Sequence, residues 1–161
     1  MNSRAKVIVP SLLASWRAVQ RSDGKRLVVT NGCFDLLHVG HVTYLEQARA
    51  LGDLLLVGVN SDAAVKELKG PDRPVNCESD RAAVLAALAS VDAVFVFNEK
   101  SAVNFLKLAQ PDIYVKGGDY TLATINQEER HVVEQAGGRI VIVPLVPGKS
   151  TTGILAKIAK L

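Results

Sequence analysis

The sequence has little of several features that would assign it at once to a special class. Aromatic residues make up only 5% of its 161 residues, so a core must be built from Ala, Val, Leu and Ile, as in layered α/β proteins. The two cysteines, Cys33 and Cys77, exclude a disulfide framework and favour a reducing cytoplasm. No block of like charge occurs among the 19 basic and 16 acidic residues, which argues against a nucleic-acid arm and permits a small anionic ligand.

Long apolar runs are also missing from the sequence. No stretch approaches the roughly 18 apolar residues that a membrane-spanning helix needs. Residues 7–15 loosely resemble a secretory signal, but Pro10 interrupts them and Trp16 follows where a small-residue cleavage site is required. We favour instead an amphipathic helix over 11–21 with Ser11 as its cap. We expect a cytoplasmic protein that binds neither membrane nor nucleic acid.

What the sequence does contain is an alternation of short β-branched runs with helical patterns. Five apolar runs predict strands over residues 27–30, 54–60, 93–97, 113–116 and 140–143. Helices are predicted over residues 39–51, 62–68, 79–89 (capped by Ser79), 101–108, 125–135 and 151–158. Continuous apolar strands separated by helices indicate an α/β fold, a five-stranded parallel sheet with helices on both faces. We expect one domain over 27–161 and a helical N-terminal extension over 1–26 that packs on it.

The end of the first predicted strand carries the residues with the clearest chemistry. Ligands of open parallel sheets bind beyond the carboxyl ends of the strands, where the strand order reverses. There, His38 and His41 stand at the start of the next helix, and residues i and i+3 share a helix face. Free N–H groups at a helix start attract anions, and Gly40 lets a ligand approach the backbone closely. The arrangement suits a polyphosphate.

Two other interpretations of the histidines stay open. If the two histidines bound a zinc ion, the ion would need further ligands. The candidates are Cys33, Cys77 and His131, and their spacing matches no recognised zinc motif. Alternatively, both histidines are ordinary surface residues of a helix start.

Two familiar phosphate-binding motifs are not matched. No G-x-G-x-x-G follows the first strand, so the dinucleotide fingerprint is missing. Residues 148–151, G-K-S-T, resemble the end of a Walker A loop, but Val143 stands where that loop needs glycine. The run also follows the last predicted strand rather than the first, which argues against a Walker-type NTPase.

Four ordered motifs resemble one enzyme family. Residues 31–41, N-G-C-F-D-L-L-H-V-G-H, are similar to the H-x-G-H signature of the cytidylyltransferase-like nucleotidyltransferases. Residues 68–76 and 115–120 resemble the heptose 1-phosphate adenylyltransferase branch, and residues 150–152 resemble the family's S-T-T element. The resemblance covers residues 27–158, roughly, and implies a Rossmann-like fold.

The resemblance also implies a reaction and a set of site residues. An oxygen of a heptose 1-phosphate attacks the α-phosphate of ATP, pyrophosphate leaves, and ADP-heptose forms as a precursor of the lipopolysaccharide inner core. The implied catalytic residues are His38, His41 and Lys69. The implied nucleotide-binding residues are Asn31, Gly32, Cys33, Phe34, His38, Gly40, His41, Ser150, Thr151 and Thr152. The implied substrate-binding residues are Asp35, Lys69, Arg81, Lys116, Gly117 and Asp119.

General chemistry accounts for several of these roles. The two histidines would donate hydrogen bonds to the β- and γ-phosphates as negative charge develops there. Lys116 and Asp119 flank two glycines and offer a phosphate cation together with a hydroxyl acceptor. Arg81 lies in the first turn of a predicted helix, where a cation opposes the helix dipole unless an anion such as a substrate phosphate compensates it. The glycine-proline loop 70–76 is a candidate lid that excludes water.

The remaining expectations concern cofactors, partners and alternative substrates. Mg²⁺ is expected to arrive with ATP, held mainly by phosphates and water, and Asp35 is the nearest carboxylate. Cytidylyltransferase relatives carry an arginine before the S-T-T element, where Lys149 is the candidate substitute. A transferase for another acceptor (glycerol 3-phosphate with CTP, or pantetheine phosphate with ATP) and a non-catalytic nucleotide-binding module are the alternatives. We expect a stand-alone transferase without a fused kinase, acting as a homodimer or higher homo-oligomer.

Overall fold

The centre of the molecule is a five-stranded parallel sheet in a computed structural model that describes residues 3–118, 120–144 and 146–161. The strands are β1 (Leu27–Gly32), β2 (Leu54–Asn60), β3 (Ala93–Phe97), β4 (Ile113–Gly117) and β5 (Arg139–Val143). The helices are α1 (Leu13–Ser22), α2 (Val39–Arg49), α3 (Asp62–Lys69), α4 (Glu78–Ala86), α5 (Val103–Ala109), α6 (Gln127–Gln135) and α7 (Thr151–Ile158). The predicted α/β fold is confirmed, and every predicted strand is present.

The strand order places a topological switch point in the middle of the sheet. The order is β3-β2-β1-β4-β5. Leu27 of β1 aligns with Leu54 of β2, and Val28 aligns with Ile113 of β4 on the other side. The chain therefore winds outwards from β1 in both directions, and a crevice forms where β1 and β4 end. The histidine-bearing segment follows β1 and so lies at this crevice.

Helices cover both faces of the sheet. Successive residues of each strand point to opposite faces, so their side chains belong to two separate apolar clusters. One cluster includes Leu45 of α2 and Leu85 of α4. The other includes Leu13 of α1, Phe105 of α5 and Val133 of α6. These side chains are almost wholly buried, and each such burial stabilises the fold by about 1.5–3 kcal/mol. Among the described residues, no helix combines the length and the apolar character of a membrane span.

The residues before β1 pack against this sheet. The Ile8 N–H donates to the Val94 carbonyl at 2.8 Å, and the Lys6 ammonium donates to the Val91 carbonyl at 2.8 Å. Helix α1 then inserts Leu13, which is fully buried, into one of the two clusters. The amphipathic helix predicted over 11–21 therefore covers one face of the sheet, starting two residues later than expected.

Two predicted helix caps are wrong. Pro10 begins a 3-10 turn, Pro10–Leu12, so α1 starts only at Leu13 and no side chain caps either element. Ser79 lies inside the first turn of α4, because that helix begins at Glu78 behind Cys77. Both errors arise from helix starts displaced by one or two residues, which places the serine hydroxyl on the wrong side of the boundary.

Candidate nucleotide-binding site

A cavity of about 560 Å³ opens at the carboxyl ends of β1 and β4. We call it the β1–β4 cavity. Its lining includes all the sequence-predicted site residues that the structure describes except Arg81, namely Asn31, Gly32, Cys33, Phe34, Asp35, His38, Gly40, His41, Lys69, Lys116, Gly117, Ser150, Thr151 and Thr152. Asp119 lies outside the described residues. Residues from four segments far apart in the chain thus meet at one edge of the sheet.

His38 and His41 form a stacked pair at the start of α2. His38 is the N-cap residue, in an extended conformation, and its side chain makes no capping hydrogen bond. The i, i+3 spacing brings the two rings to a centroid distance of 4.0 Å with an interplanar angle of 26°. Within the described part of the chain, the Nδ1 atoms of both rings are buried and have no hydrogen-bond partner. Two buried polar atoms without partners at a cavity wall are typical of a ligand site.

Burial keeps this histidine pair uncharged in the free protein. Burial, reinforced by the neighbouring His38 ring, lowers the pKa of His41 to about 4. Burial and then the nearby Lys149 lower the pKa of His38 below its ordinary value. Both imidazoles are therefore neutral near pH 7. An anion in the cavity would remove the penalty on their charged forms.

A second helix start converges on the same place. A Cβ at Gly40 would lie 2.9 Å from two atoms of the His38 ring and 3.1 Å from Cβ of Lys149, which precedes α7. The Thr151 hydroxyl donates to the Leu36 carbonyl at 3.2 Å and ties α7 to the loop after β1. Only a glycine at position 40 leaves room for this approach. The free N–H groups of two helices, α2 and α7, thus border one cavity.

The last helix is capped by a residue of the S-T-T element. The Ser150 hydroxyl accepts a hydrogen bond from the Gly153 N–H at 3.0 Å, so Ser150 caps α7. The S-T-T segment therefore has a structural role at the helix start while it lines the cavity.

Asp35 anchors a loop. Its buried carboxylate accepts hydrogen bonds from the Arg73 guanidinium and from the N–H groups of Val75, at 2.7 Å, and Asn76, at 3.1 Å. Burial by itself raises the pKa of Asp35, but the hydrogen bonds from Asn76, Arg73 and Val75 outweigh it and hold the pKa below its ordinary value. Both carboxylate oxygens are occupied by the protein. Asp35 thus holds the loop 70–76 beside the cavity, and its expected contact with substrate stays a prediction.

Arg81 is placed differently from the expectation. Its side chain is buried, and its guanidinium donates to the carbonyls of Asn76 and Cys33 and to the Asp62 carboxylate at 2.8 Å. The anion that compensates this cation at the start of α4 is therefore Asp62 rather than a substrate phosphate. The arginine that does line the cavity is Arg73, at the anchored loop.

Two lysines bring positive charge to the opposite sides of the cavity. Lys69 is the last residue of α3 and is exposed; among the described residues no hydrogen bond or ion pair engages its ammonium. Lys116, at the end of β4, lies 3.1 Å from the Asn31 side-chain oxygen and 3.3 Å from the Glu129 carboxylate. Of these two cations, Lys69 is therefore exposed and unpaired among the described residues, and Lys116 is held in place.

Cys33 does not have the properties of a nucleophile. It lines the cavity, and burial raises the pKa of its thiol even though Lys69 and Arg81 oppose this shift. The thiol form therefore dominates at neutral pH, whereas covalent catalysis needs the thiolate. Over the described residues, no three His, Cys, Asp or Glu side chains come together as a metal site would require.

Sequence reasoning missed several lining residues. Asn60 ends β2 and Lys100 follows β3 at the same edge of the sheet, so the rule on carboxyl ends of strands was the signal that could have found them. Glu129 lies on α6 and reaches the cavity across the end of β4. No local pattern around Glu129 indicates that placement.

Comparisons with known proteins agree with this geometry. The family model described as Cytidylyltransferase-like matches residues 29–156. The bifunctional protein HldE of Geotalea uraniireducens is 52% identical over 157 residues, which is 98% of this chain and 32% of that protein. The corresponding HldE of Syntrophotalea carbinolica is 53% identical over 140 residues, covering 87% of this chain and 28% of that protein. The chain thus spans about a third of the length of these curated relatives.

A solved structure also matches the fold. The lipopolysaccharide core biosynthesis protein from Thermoplasma volcanium has a TM-score of 0.62 and 29% identity, covering 76% of this chain and 98% of that one. The family match extends over most of the chain and contains the histidine pair and the start of α7. This chain belongs to the cytidylyltransferase-like family of nucleotidyltransferases.

Proposed function

We propose that the protein transfers AMP from ATP to D-glycero-β-D-manno-heptose 1-phosphate, which gives ADP-heptose and pyrophosphate. The observation that carries the proposal is the stacked pair of neutral imidazoles with unpartnered Nδ1 atoms, set between two helix starts. The H-x-G-H and S-T-T segments support nucleotidyl transfer, and the two segments that resemble the heptose branch, 68–76 and 115–120, support the acceptor. The similar fold and 29% identity of the Thermoplasma volcanium protein, a lipopolysaccharide core biosynthesis protein, support it as well.

The nucleotide half of the mechanism is positioning and charge stabilisation. Free N–H groups at the start of α2 and the side chains of His38 and His41 bind the β- and γ-phosphates. Hydroxyls and N–H groups at the start of α7 bind from the other side. An oxygen of the acceptor phosphate forms a bond to the α-phosphorus in line with the leaving oxygen, and the bond to pyrophosphate breaks. The imidazole donors stabilise the charge that moves onto pyrophosphate.

The acceptor half rests on the cations across the cavity. Lys69, at the exposed end of α3, approaches the α-phosphate and the acceptor phosphate, and Lys116 binds the acceptor phosphate from β4. Holding both phosphates in attack geometry is worth about 7–11 kcal/mol of the barrier. Asp119 is proposed to accept hydrogen bonds from sugar or ribose hydroxyls.

Magnesium enters the proposal as the companion of ATP. The carboxylates of Asp35 and Glu129, which line the cavity, already accept hydrogen bonds from protein donors. The described residues therefore fit an ion held by phosphate and water oxygens, which is the usual environment of Mg²⁺ beside nucleotides. When bound, the ion supplies charge neutralisation on the phosphates.

The test is a matrix of nucleotides and acceptors. Purified protein is incubated with ATP, CTP or GTP and with heptose 1-phosphate or glycerol 3-phosphate, and pyrophosphate release is measured. We expect release with ATP and heptose 1-phosphate. Release only with CTP and glycerol 3-phosphate would identify another acceptor, and nucleotide binding without any release would identify a non-catalytic module. A homodimer or higher homo-oligomer in the cytoplasm is also proposed, and sedimentation of the pure protein tests the oligomeric state.

A further inference from the structure

A buried carboxylate on the acceptor side of the β1–β4 cavity has no role in the mechanism above. Glu129, in the first turn of α6, is only 4% exposed. One of its oxygens, Oε1, accepts from the Ala102 N–H at 2.9 Å and from the Ser101 hydroxyl at 3.3 Å. The other oxygen, Oε2, lies 2.8 Å from the Tyr114 hydroxyl and 3.3 Å from the Lys116 ammonium. Each oxygen thus serves a different part of the structure.

The two oxygens of the Glu129 carboxylate have different roles. Ala102 is the N-cap residue of α5, so Oε1 satisfies a free N–H at a helix start and is structural. Oε2 faces a residue of the cavity wall, because Lys116 lines the cavity and Tyr114 lies two residues before it on β4. Only the contacts of Oε2 therefore affect the reaction.

Asn31 holds the same two donors from the other side. Its Oδ1 lies 2.6 Å from the Tyr114 hydroxyl and 3.1 Å from the Lys116 ammonium. Burial first, and then the charge and hydrogen bond of Glu129, raise the pKa of Tyr114 well above its ordinary value. The phenol therefore stays protonated, and its one proton serves two acceptors in turn.

The contacts of the Lys116 ammonium fix its position. An ammonium has three N–H donors; within the described residues one of them is donated to Asn31, and the Glu129 carboxylate holds the charge as an ion pair. The ammonium thus keeps N–H groups for a ligand at the cavity wall. A lysine on its own is a flexible stem with a freely rotating charge, whereas two fixed acceptors hold this ammonium in one place.

We propose that Glu129 is a positioning residue that holds the Lys116 ammonium where the acceptor phosphate arrives. It acts through Lys116 and does not touch the substrate. The inference rests on the proposed function, because that function makes Lys116 the cation for the acceptor phosphate. It adds a residue from α6 that places this cation.

The first test is Glu129→Gln with a split of kinetic constants. If the glutamine oxygen keeps the Ala102 contact, its NH₂ group faces the Lys116 ammonium, donor against donor, and the lysine loses its fixed position. We expect KM for the acceptor to rise about 10-fold, since hydrogen bonds to charged groups have this size of effect. KM for ATP should stay within about twofold. The matched control is Glu128→Gln, an exposed neighbour on the same helix turn, which should change neither constant.

The second test is a double-mutant cycle. Lys116→Met by itself should raise KM for the acceptor, and Glu129→Gln should add nothing in the Lys116→Met background, because its effect is transmitted by that lysine. Additive effects in the cycle, an unchanged acceptor KM in E129Q, or equal rises in the two KM values would each overturn the inference. If E129Q does not fold, Glu129→Asp replaces it, because the shorter side chain does not span Ala102 and Lys116 together.

The wild-type protein separates this inference from the proposed function. Absence of wild-type turnover with every acceptor would contradict the proposed function. The cycle is then measured on the dissociation constant of heptose 1-phosphate by calorimetry, which needs no turnover, and the same non-additivity is expected. Normal wild-type turnover with an unaffected E129Q contradicts the positioning role alone.

Discussion

The amino and carboxyl edges of the sheet differ in the hydrogen bonding of their polar side chains. At the amino edge, three aspartates, Asp53, Asp92 and Asp112, accept hydrogen bonds from backbone N–H groups at or next to the strand starts at 2.7–2.8 Å; the donors are Arg26, Leu55 and Leu27 respectively. At the carboxyl edge, both Nδ1 atoms of the histidine pair are buried without a partner in the described structure. The bonds of the three aspartates close the amino edge, whereas the two unpartnered imidazole nitrogens leave the carboxyl edge open to an anion.

The comparison also shows what a buried arginine does and does not indicate. Arg17 pairs with Asp112 at 3.0 Å at the amino edge, and Arg81 pairs with Asp62 at 2.8 Å near the carboxyl edge. Both guanidinium groups are almost fully buried, and both tie helices to loops. One nitrogen of Arg17, Nη1, also lacks a partner among the described residues. A single orphaned atom is therefore weaker evidence than a stacked pair in a cavity.

The largest expected effect comes from removing a donor at the open edge. Changing His41→Ala should lower turnover about 10³-fold, because an imidazole donor to the departing pyrophosphate is lost from a preorganised site. The melting temperature should hardly change, since the free His41 side chain satisfies no protein acceptor. Pyrophosphate release measures the loss. The control is His131→Ala on α6, an exposed histidine outside the cavity lining, and near-normal turnover in H41A would contradict the assigned role.

A smaller effect is expected from added bulk at the same edge. In Gly40→Ala the new Cβ would lie 2.9 Å from the His38 ring, so the ring must turn away and turnover should fall about 100-fold. Gly52→Ala, near the amino edge, puts a Cβ 2.7 Å from a Val28 methyl and 2.8 Å from the Arg26 carbonyl. That variant should lose thermal stability and keep its kcat. Matching losses of stability in both variants would contradict the contrast between the edges.

Removing an anchor at the closed edge should affect stability alone. Asp112→Ala leaves the buried Arg17 short of a partner and removes an acceptor from Leu27 N–H. Because Asp112 is itself 41% exposed, we expect a loss of about 2 kcal/mol in the free energy of unfolding. Denaturant titration measures it. Asp53→Ala, which removes one exposed bond, should cost less than about 1 kcal/mol, and kcat should be unchanged in both variants.

The smallest effect is a dependence of ATP binding on pH. The pKa of both histidines is lowered in the free protein, for His41 to about 4, and a bound triphosphate would raise it. Binding then takes up protons, so affinity increases as the pH falls from about 8 to about 6. Calorimetry in buffers of different ionisation enthalpy measures the uptake. H41A should take up fewer protons, and proton release on binding would contradict the placement of the phosphates.

The lowered pKa values of the two histidines also determine how the stability of the free protein changes with pH. Unfolding exposes the histidines and restores their ordinary pKa, so the unfolded chain binds more protons between the ordinary value and about 4. The free protein therefore loses stability as the pH falls through that window. Bound ATP should reduce this loss.

Features that depend on residues close together in the chain could be predicted from the sequence. The strands could be predicted because runs such as 54–60 are apolar and bounded by polar residues, and this pattern needs no partner. The stacking of His38 and His41 follows from three-residue spacing at a helix start. The displaced caps at Ser11 and Ser79 show the limit even of local rules, since one residue of shift changes which side chain faces the free N–H groups.

The sequence by itself determined the alternating α/β architecture and the position of the histidine pair beyond β1, because periodicity and strand ends are local properties of the chain. Only the tertiary structure decided which charged groups are already paired. Asp35 is taken by Arg73, Arg81 by Asp62, and Lys116 by Glu129. The partners in each pair are 13 or more residues apart in the chain. Their pairing depends on distances that exist only after the strands and helices have packed.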